Sequence, residues 1–165
     1  MANLWSGRFT DEPDPTAFQF GASFRFDRRL FEDDVTGSLA YVDGLVRAGV
    51  FTPSDAATVK AALNDILTLG RRNPSVVDGP DEDVHAFVER QLVERVGDLG
   101  KRLHTGRSRN EQVSLDLRLY LRRRIPRLQQ QLVAVIAVLA RRAENAFGCC
   151  NWREPRRLWK PVQYR

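Results

Sequence analysis

The stretch SRNEQVSLDLRLYLRRRIPRLQQQLVAVIAVLARRAE, Ser108–Glu144, decides how this chain folds. Within it Leu121, Ile125, Leu128, Leu132, Val135 and Leu139 recur by alternating steps of four and three residues, which is the seam of an α-helix packed in a bundle. Ser108 with Glu111 three residues later is a capping-box pattern and marks the start. At 1.5 Å per residue such a helix runs about 55 Å, longer than the other predicted helices can cover, so its partners must lie elsewhere. Leu132–Ala140 is apolar on nearly every side, which predicts burial by several neighbouring helices, and Pro126 predicts a kink.

Upstream of this stretch, helical periodicity with start and stop signals recurs and strand alternation is nowhere sustained, so the predicted fold class is all-α. Met1–Gly21 reads as an irregular arm packing through Trp5, Phe9, Phe18 and Phe20. From about Ser23 to Ala48, Phe24, Phe31, Val35, Leu39, Val42 and Val46 follow a helical stripe that Gly49 stops. Thr52 and Pro53 open a second helix as N-cap and first-turn proline, and Gly70 closes it. Asp78-Gly79-Pro80 is a turn, after which Val84, Phe87, Val88, Gln91 and Leu92 predict a third helix ending near Gly97.

The chain has 165 residues, 42% hydrophobic and 28% charged, enough for one modest core. Its longest strongly apolar run, Leu132–Ala140, is far short of the roughly 20 residues a membrane span needs. Arg8, Asp11, Glu12 and Asp14 occupy the place of a secretory signal's apolar region. Only Cys149 and Cys150 are present, adjacent, matching neither a disulfide framework nor a zinc spacing. The expected compartment is therefore the cytoplasm, with no membrane association. The net charge of +5 is unevenly spread: residues 1–100 hold 10 Lys/Arg against 17 Asp/Glu, and residues 101–142 hold 11 against 2. Such a dipole fits a nucleic-acid partner through Arg118, Arg122, Arg123, Arg124 and Arg127. It fits equally two surfaces that neutralise each other within a fold or an oligomer. Those arginines fall opposite the apolar seam, where a solvated stripe is the plain expectation.

Three polar groupings could carry chemistry. His104-Thr105-Gly106-Arg107-Ser108-Arg109-Asn110 sets two arginines and an amide beside the free N–H groups and positive end of the long helix, a combination suited to a carboxylate or phosphate. It is equally compatible with Ser108 as a cap and the arginines paired to the acidic front half. Asp81-Glu82-Asp83-Val84-His85 opens the third helix, where acids are favoured in any case and a histidine is commonly at the surface. Ser23 and Asp27 share a helical face, as a cap and an exposed acid would too.

Taken together, several strings resemble one family. They are Leu4-Trp5-Ser6-Gly7-Arg8-Phe9, Phe20–Asp27 followed by Asp34–Ser38, Glu82-Asp83-Val84-His85, and above all Leu103-His104-Thr105-Gly106-Arg107-Ser108-Arg109-Asn110-Glu111-Gln112-Val113. In order, from about residue 3 to 145, they are similar to the N-terminal third of the argininosuccinate lyases of the fumarase/aspartase superfamily. Ser6 departs from the family, which usually has a second glycine there.

The resemblance implies a small N-terminal helical domain (1–107), the first long helix of a central bundle (108–145) and a homotetramer. It also implies β-elimination of argininosuccinate to arginine and fumarate, in arginine biosynthesis, without cofactor or metal. A base removes a proton beside a carboxylate, charge spreads into an aci-carboxylate, and a protonated guanidino group leaves. On the family's pattern Ser23 and Asn110 contact substrate, while Asp27, Asp83, His85, Thr105, Arg107 and Arg109 line or support the same wall. The likeness stops near residue 145, ahead of the family's acid-side histidine and of the serine loop that resembles its base. No catalytic acid or base is thus expected in this chain, a truncated form inactive alone. Residues 146–165, with both cysteines, Trp152 and Trp159, break the pattern and read as a disordered tail, a frameshifted end or an appended binding peptide. Two readings outside catalysis are a helical fragment that joins full-length subunits and a basic nucleic-acid-binding protein; the place of the arginines opposite the seam disfavours the latter.

Overall fold

The computed structural model describes residues 14–149, and all regular structure among them is helical. The chain divides into two units, the first ending at Leu121 and the second starting at Arg122.

In the first unit, α3 (Phe31–Arg47), α4 (Pro53–Arg72) and α5 (Val84–Val96) pack on one another. Each places its apolar stripe inward: Val35, Val42 and Leu45 from α3, Val59, Leu63 and Ile66 from α4, Val84, Val88 and Leu92 from α5. Phe87 stacks on Phe24 at 5.3 Å between centroids and meets the edge of Phe31 at 6.2 Å. The ends are set by local chemistry. Thr52 and Asp55 form a reciprocal capping box, with bonds of 3.1 and 3.0 Å, ahead of Pro53. Gly49 ends the α3 region at φ +73°, a conformation that costs glycine nothing.

Four expectations need correction. Part of the opening arm is helical: Asp14 accepts from the Thr16 and Ala17 amides and caps α1 (Pro15–Gly21). Phe20 does not pack, being 94% exposed, while Phe18 is half-buried; Trp5 and Phe9 lie outside the described residues. The stripe from Ser23 to Ala48 is not one helix but α2 (Phe24–Asp27), a 3-10 turn at Arg28–Leu30, and α3. The Asp27 side chain is turned to the start of α5, accepting from the Val84 amide at 3.0 Å. Gly70 does not close α4, which continues to Arg72; a Cβ there would sit 2.3 Å from the Phe31 ring, so this glycine lets the α3 aromatic approach.

Beyond α5, Gly97 at φ +63° leads into α6 (Asp98–Lys101) and a 3-10 turn at Arg102–His104. Then α7 runs from Arg109 to Cys149 with Pro126 inside it. Its beginning belongs to the first unit, where Gln112 and Asp116 are buried. In the second unit every side chain from Arg122 to Ala146 is exposed, including Leu132 and Ile136. The tail from residue 150 on lies outside the described residues. No described helix is long and apolar enough to cross a membrane.

Candidate active site

Four of the polar residues singled out by sequence, Ser23, Asp27, Asp83 and Arg109, meet where α2, α5 and α7 begin. Ser23 Oγ donates to Asp27 Oδ2 at 2.5 Å, and the Ser23 and Phe24 amides both donate to the Glu82 carbonyl, at 2.8 and 3.1 Å. The pair is thereby fixed beside the start of α5. There Asp27 takes the Val84 amide while Asp83 takes the Ala86 amide at 2.6 Å, so both acids serve the otherwise unsatisfied first turn of that helix. Asp83 Oδ2 also lies 3.7 Å from Arg109 Nε in the first turn of α7. Ser23, Asp27, Asp83 and Arg109 thus form one connected chain. The readings of Ser23 as a side-chain cap and Asp27 as an exposed acid do not hold: Ser23 makes no side-chain cap bond, and its bond with Asp27 is part-buried.

Thr105 and Arg107 are held by a second set of contacts. Tyr41 of α3 donates its hydroxyl to the Thr105 carbonyl at 2.9 Å, and its ring lies 5.1 Å under the Arg107 guanidinium. Arg107 Nη1 donates to Ser38 Oγ at 2.9 Å. His104 Nε2 approaches Glu89 Oε2 at 3.1 Å, away from Arg107 and Arg109 in its bonding. Asn110 is exposed.

His85 is not at the surface. It is 2% exposed, with Nδ1 2.9 Å from Asp34 Oδ1 and 3.4 Å from Asp116 Oδ2. Gln112 Nε2 donates to the same Asp34 oxygen. Burial works against the charged form of Asp34, but the His85 hydrogen bond and charge, the Gln112 amide and Arg107 together hold its carboxyl below the usual value. Among the described residues Asp34, His85 and Asp116 also make a group of metal-ligand composition, their donor atoms within 4.8 Å of one another. An ionised Asp34 can only accept, so His85 Nδ1 is the donor in this pair.

Asp34, Ser38, Tyr41 and Asp116 were given no role by sequence. A signal existed for the first two: both sit in the buried register of α3 with Phe31, Val35 and Val42, where a polar residue needs a partner. Nothing in the spacing of Asp116 identifies what it faces.

The chemical character of the rim follows from this arrangement. Two guanidinium groups and an exposed amide stand at the N-terminal end of a 41-residue helix, whose free amides and dipole favour negative charge. Arg109 Nη1 is buried without a hydrogen-bond partner, so its donor capacity is unused. A carboxylate is the ligand such a wall suits.

A family profile described as a lyase matches residues 7–147. The argininosuccinate lyase of Thermoanaerobacter sp. (strain X514) is 44% identical over 143 residues, which is 86% of this chain and 32% of that protein. The argininosuccinate lyases of Bacillus thuringiensis (strain Al Hakam) and Bacillus mycoides (strain KBAB4) are each 39% identical over 145 residues, 88% of this chain and 31% of theirs. The chain thus spans about a third of the length of the curated relatives it matches. With an all-α architecture and the polar strings of three helix starts gathered at one place, the chain belongs to the lyase family.

Proposed function

We propose that this chain supplies one wall of an argininosuccinate lyase site, in a cytoplasmic, cofactor-free enzyme of arginine biosynthesis that splits argininosuccinate into arginine and fumarate. The observation that carries this reading is the buried, unpartnered Arg109 Nη1 beside Asp83 at the start of α7, a donor set suited to a substrate carboxylate. In the β-elimination, negative charge builds on a carboxylate as the neighbouring proton leaves. Preorganised donors aimed at that charge lower the barrier. Ser23 and Asn110 contact the substrate, Arg107 and Arg109 provide positive charge, and Asp27, Asp83, His85 and Thr105 hold the wall in shape. Residues 1–107 form the N-terminal domain and 108–145 the first long helix of a bundle shared by a homotetramer. In this reading the proton-transferring groups lie outside residues 7–147, the stretch matched to the family.

Purified alone, the chain should release no fumarate from argininosuccinate above background, since general acid–base groups typically contribute about 10² to 10⁴ each to the rate. Fused at the end of the family match to the remaining two thirds of the Thermoanaerobacter enzyme, it should turn over. In that fusion Arg109→Ala or Asn110→Ala should lose about 2 to 4 kcal/mol of transition-state stabilisation in kcat/KM, with little change in Tm. Near wild-type kcat/KM in either variant would remove that residue from the site, and saturable turnover by the isolated chain would overturn the claim that the proton-transfer groups lie elsewhere.

A further inference from the structure

Three helices meet at a buried polar cluster that is short of hydrogens. Asp34 of α3 and Asp116 of α7 are both 0% exposed, and His85 of α5 lies against each. The His85 ring and the Gln112 amide both direct their hydrogens to Asp34 Oδ1. That leaves Asp34 Oδ2, both Asp116 oxygens and Gln112 Oε1 buried without a hydrogen-bond partner, Asp116 Oδ2 having only the longer 3.4 Å approach of His85 Nδ1. Two ionised carboxylates are unfavourable in such a place: Asp116 would need donors that Asp34 has and it lacks, and each charge raises the energy of the other. One added hydrogen removes both difficulties, making Asp116 a donor and cancelling its charge.

We infer that Asp34 and Asp116 hold a single proton between them, and that this shared hydrogen, with His85 as the third member, pins the first turns of α7 to α3 and α5. The groups facing it are few. From α3 come Asp33, buried, and Asp34; from α5, His85; from the segment before α7, Arg107; and from α7 itself, the neutral Gln112 amide. Gly37 of α3 faces the same place: a Cβ there would press on Leu115 Cδ2 at 3.2 Å and stand in ordinary contact with Asp116 Oδ1 and Arg107 Nη2, at 3.5 and 3.7 Å. Burial, then the charge of Asp34 and hydrogen bonding with it, push the Asp116 carboxyl up to about 8, with Arg107 opposing and Asp33 assisting. The pin has a consequence for the rim. His85 lies two residues after Asp83, and Gln112 three after Arg109, so the cluster sets how closely those two side chains approach.

The sign of the pH dependence follows. Asp116 binds its proton more tightly folded than unfolded, so its contribution is full below about pH 4 and declines as pH rises to about 8. Asp34, with its carboxyl lowered, contributes only above its ordinary value and loses that contribution in acid, outside this window. Asp116→Asn keeps the shape and an N–H donor but cannot ionise. Thermal melts of the 165-residue chain should therefore show the variant gaining on the wild type steadily between about pH 4 and about pH 8. Parallel melting curves would overturn the inference. A second readout needs no variant: carbonyl-carbon NMR of the aspartate-labelled wild type should show one aspartate still protonated near neutral pH, whereas all carboxyls titrating below about pH 5 would overturn it. A wild-type Tm that climbs with added zinc, the climb being lost in Asp116→Asn, would overturn it too, since the cluster would then hold an ion in place of the proton.

Discussion

Val35, Val42 and Leu63 in the first unit and Leu132, Val133 and Ile136 in the second are similar residues at similar helical spacing, yet the former are 0% exposed and the latter 54 to 64%. The local helix is equally regular in both. What differs is supply: between Phe31 and Val96 the chain folds back twice, so three amphipathic helices cover one another. Arg122–Ala146 is a single helix and brings no second face of its own. An apolar seam is a demand for burial, and periodicity alone does not say who meets it.

The sharpest way to break this contrast is to measure mass. Light scattering should give the 165-residue chain well above its 18.8 kDa monomer, because each seam side chain gains roughly 1.5 to 3 kcal/mol on burial. Leu132→Asp combined with Ile136→Asp should return it to monomer. A cooperative 18.8 kDa monomer that binds no apolar dye would mean the seam is satisfied within one chain, and the contrast would vanish.

Next in size is His85. Replacing it by Ala removes the ring that faces both buried carboxylates and should cost about 3 to 5 kcal/mol in urea unfolding. In the monomeric double variant, Val133→Ala should change stability by less than about 0.5 kcal/mol. Equal losses at the two positions would show that exposure does not separate the regions. The smallest effect is at the α4 cap, where Thr52→Ala removes the acceptor for the Asp55 amide and should cost about 1 kcal/mol. No loss at all would mean that Pro53 and the α4 packing fix that end without the capping box.

Much of the helical framework was readable because its signals are local. Thr52-Pro53, Gly49 and Gly97 act within a turn of their own position, and they mark helix limits in the structure. The same locality explains the errors. Gly70 has the composition of a stop signal, but its function is set by the Phe31 ring, 39 residues earlier in the chain. Asp27 ends a helical stripe because its carboxylate serves an amide 57 residues away. The rim residues Ser23, Asp83, Arg107, Arg109 and Asn110 were legible through motifs. The interior behind them was not.

By itself the sequence determined that the chain is helical, where α4, α5 and α7 begin and where α3 and α5 end, which faces are apolar, and that its motifs resemble one family of lyases. Those properties depend on backbone hydrogen bonding, capping and periodicity, all of which reach only three or four residues along the chain. Only the tertiary structure decided that His85 is interior, that it stands against Asp34 and Asp116, and that Gln112 reaches an oxygen 78 residues away. Burial and partnership are properties of the space between helices. A carboxylate's protonation depends on the charges and donors that cross that space.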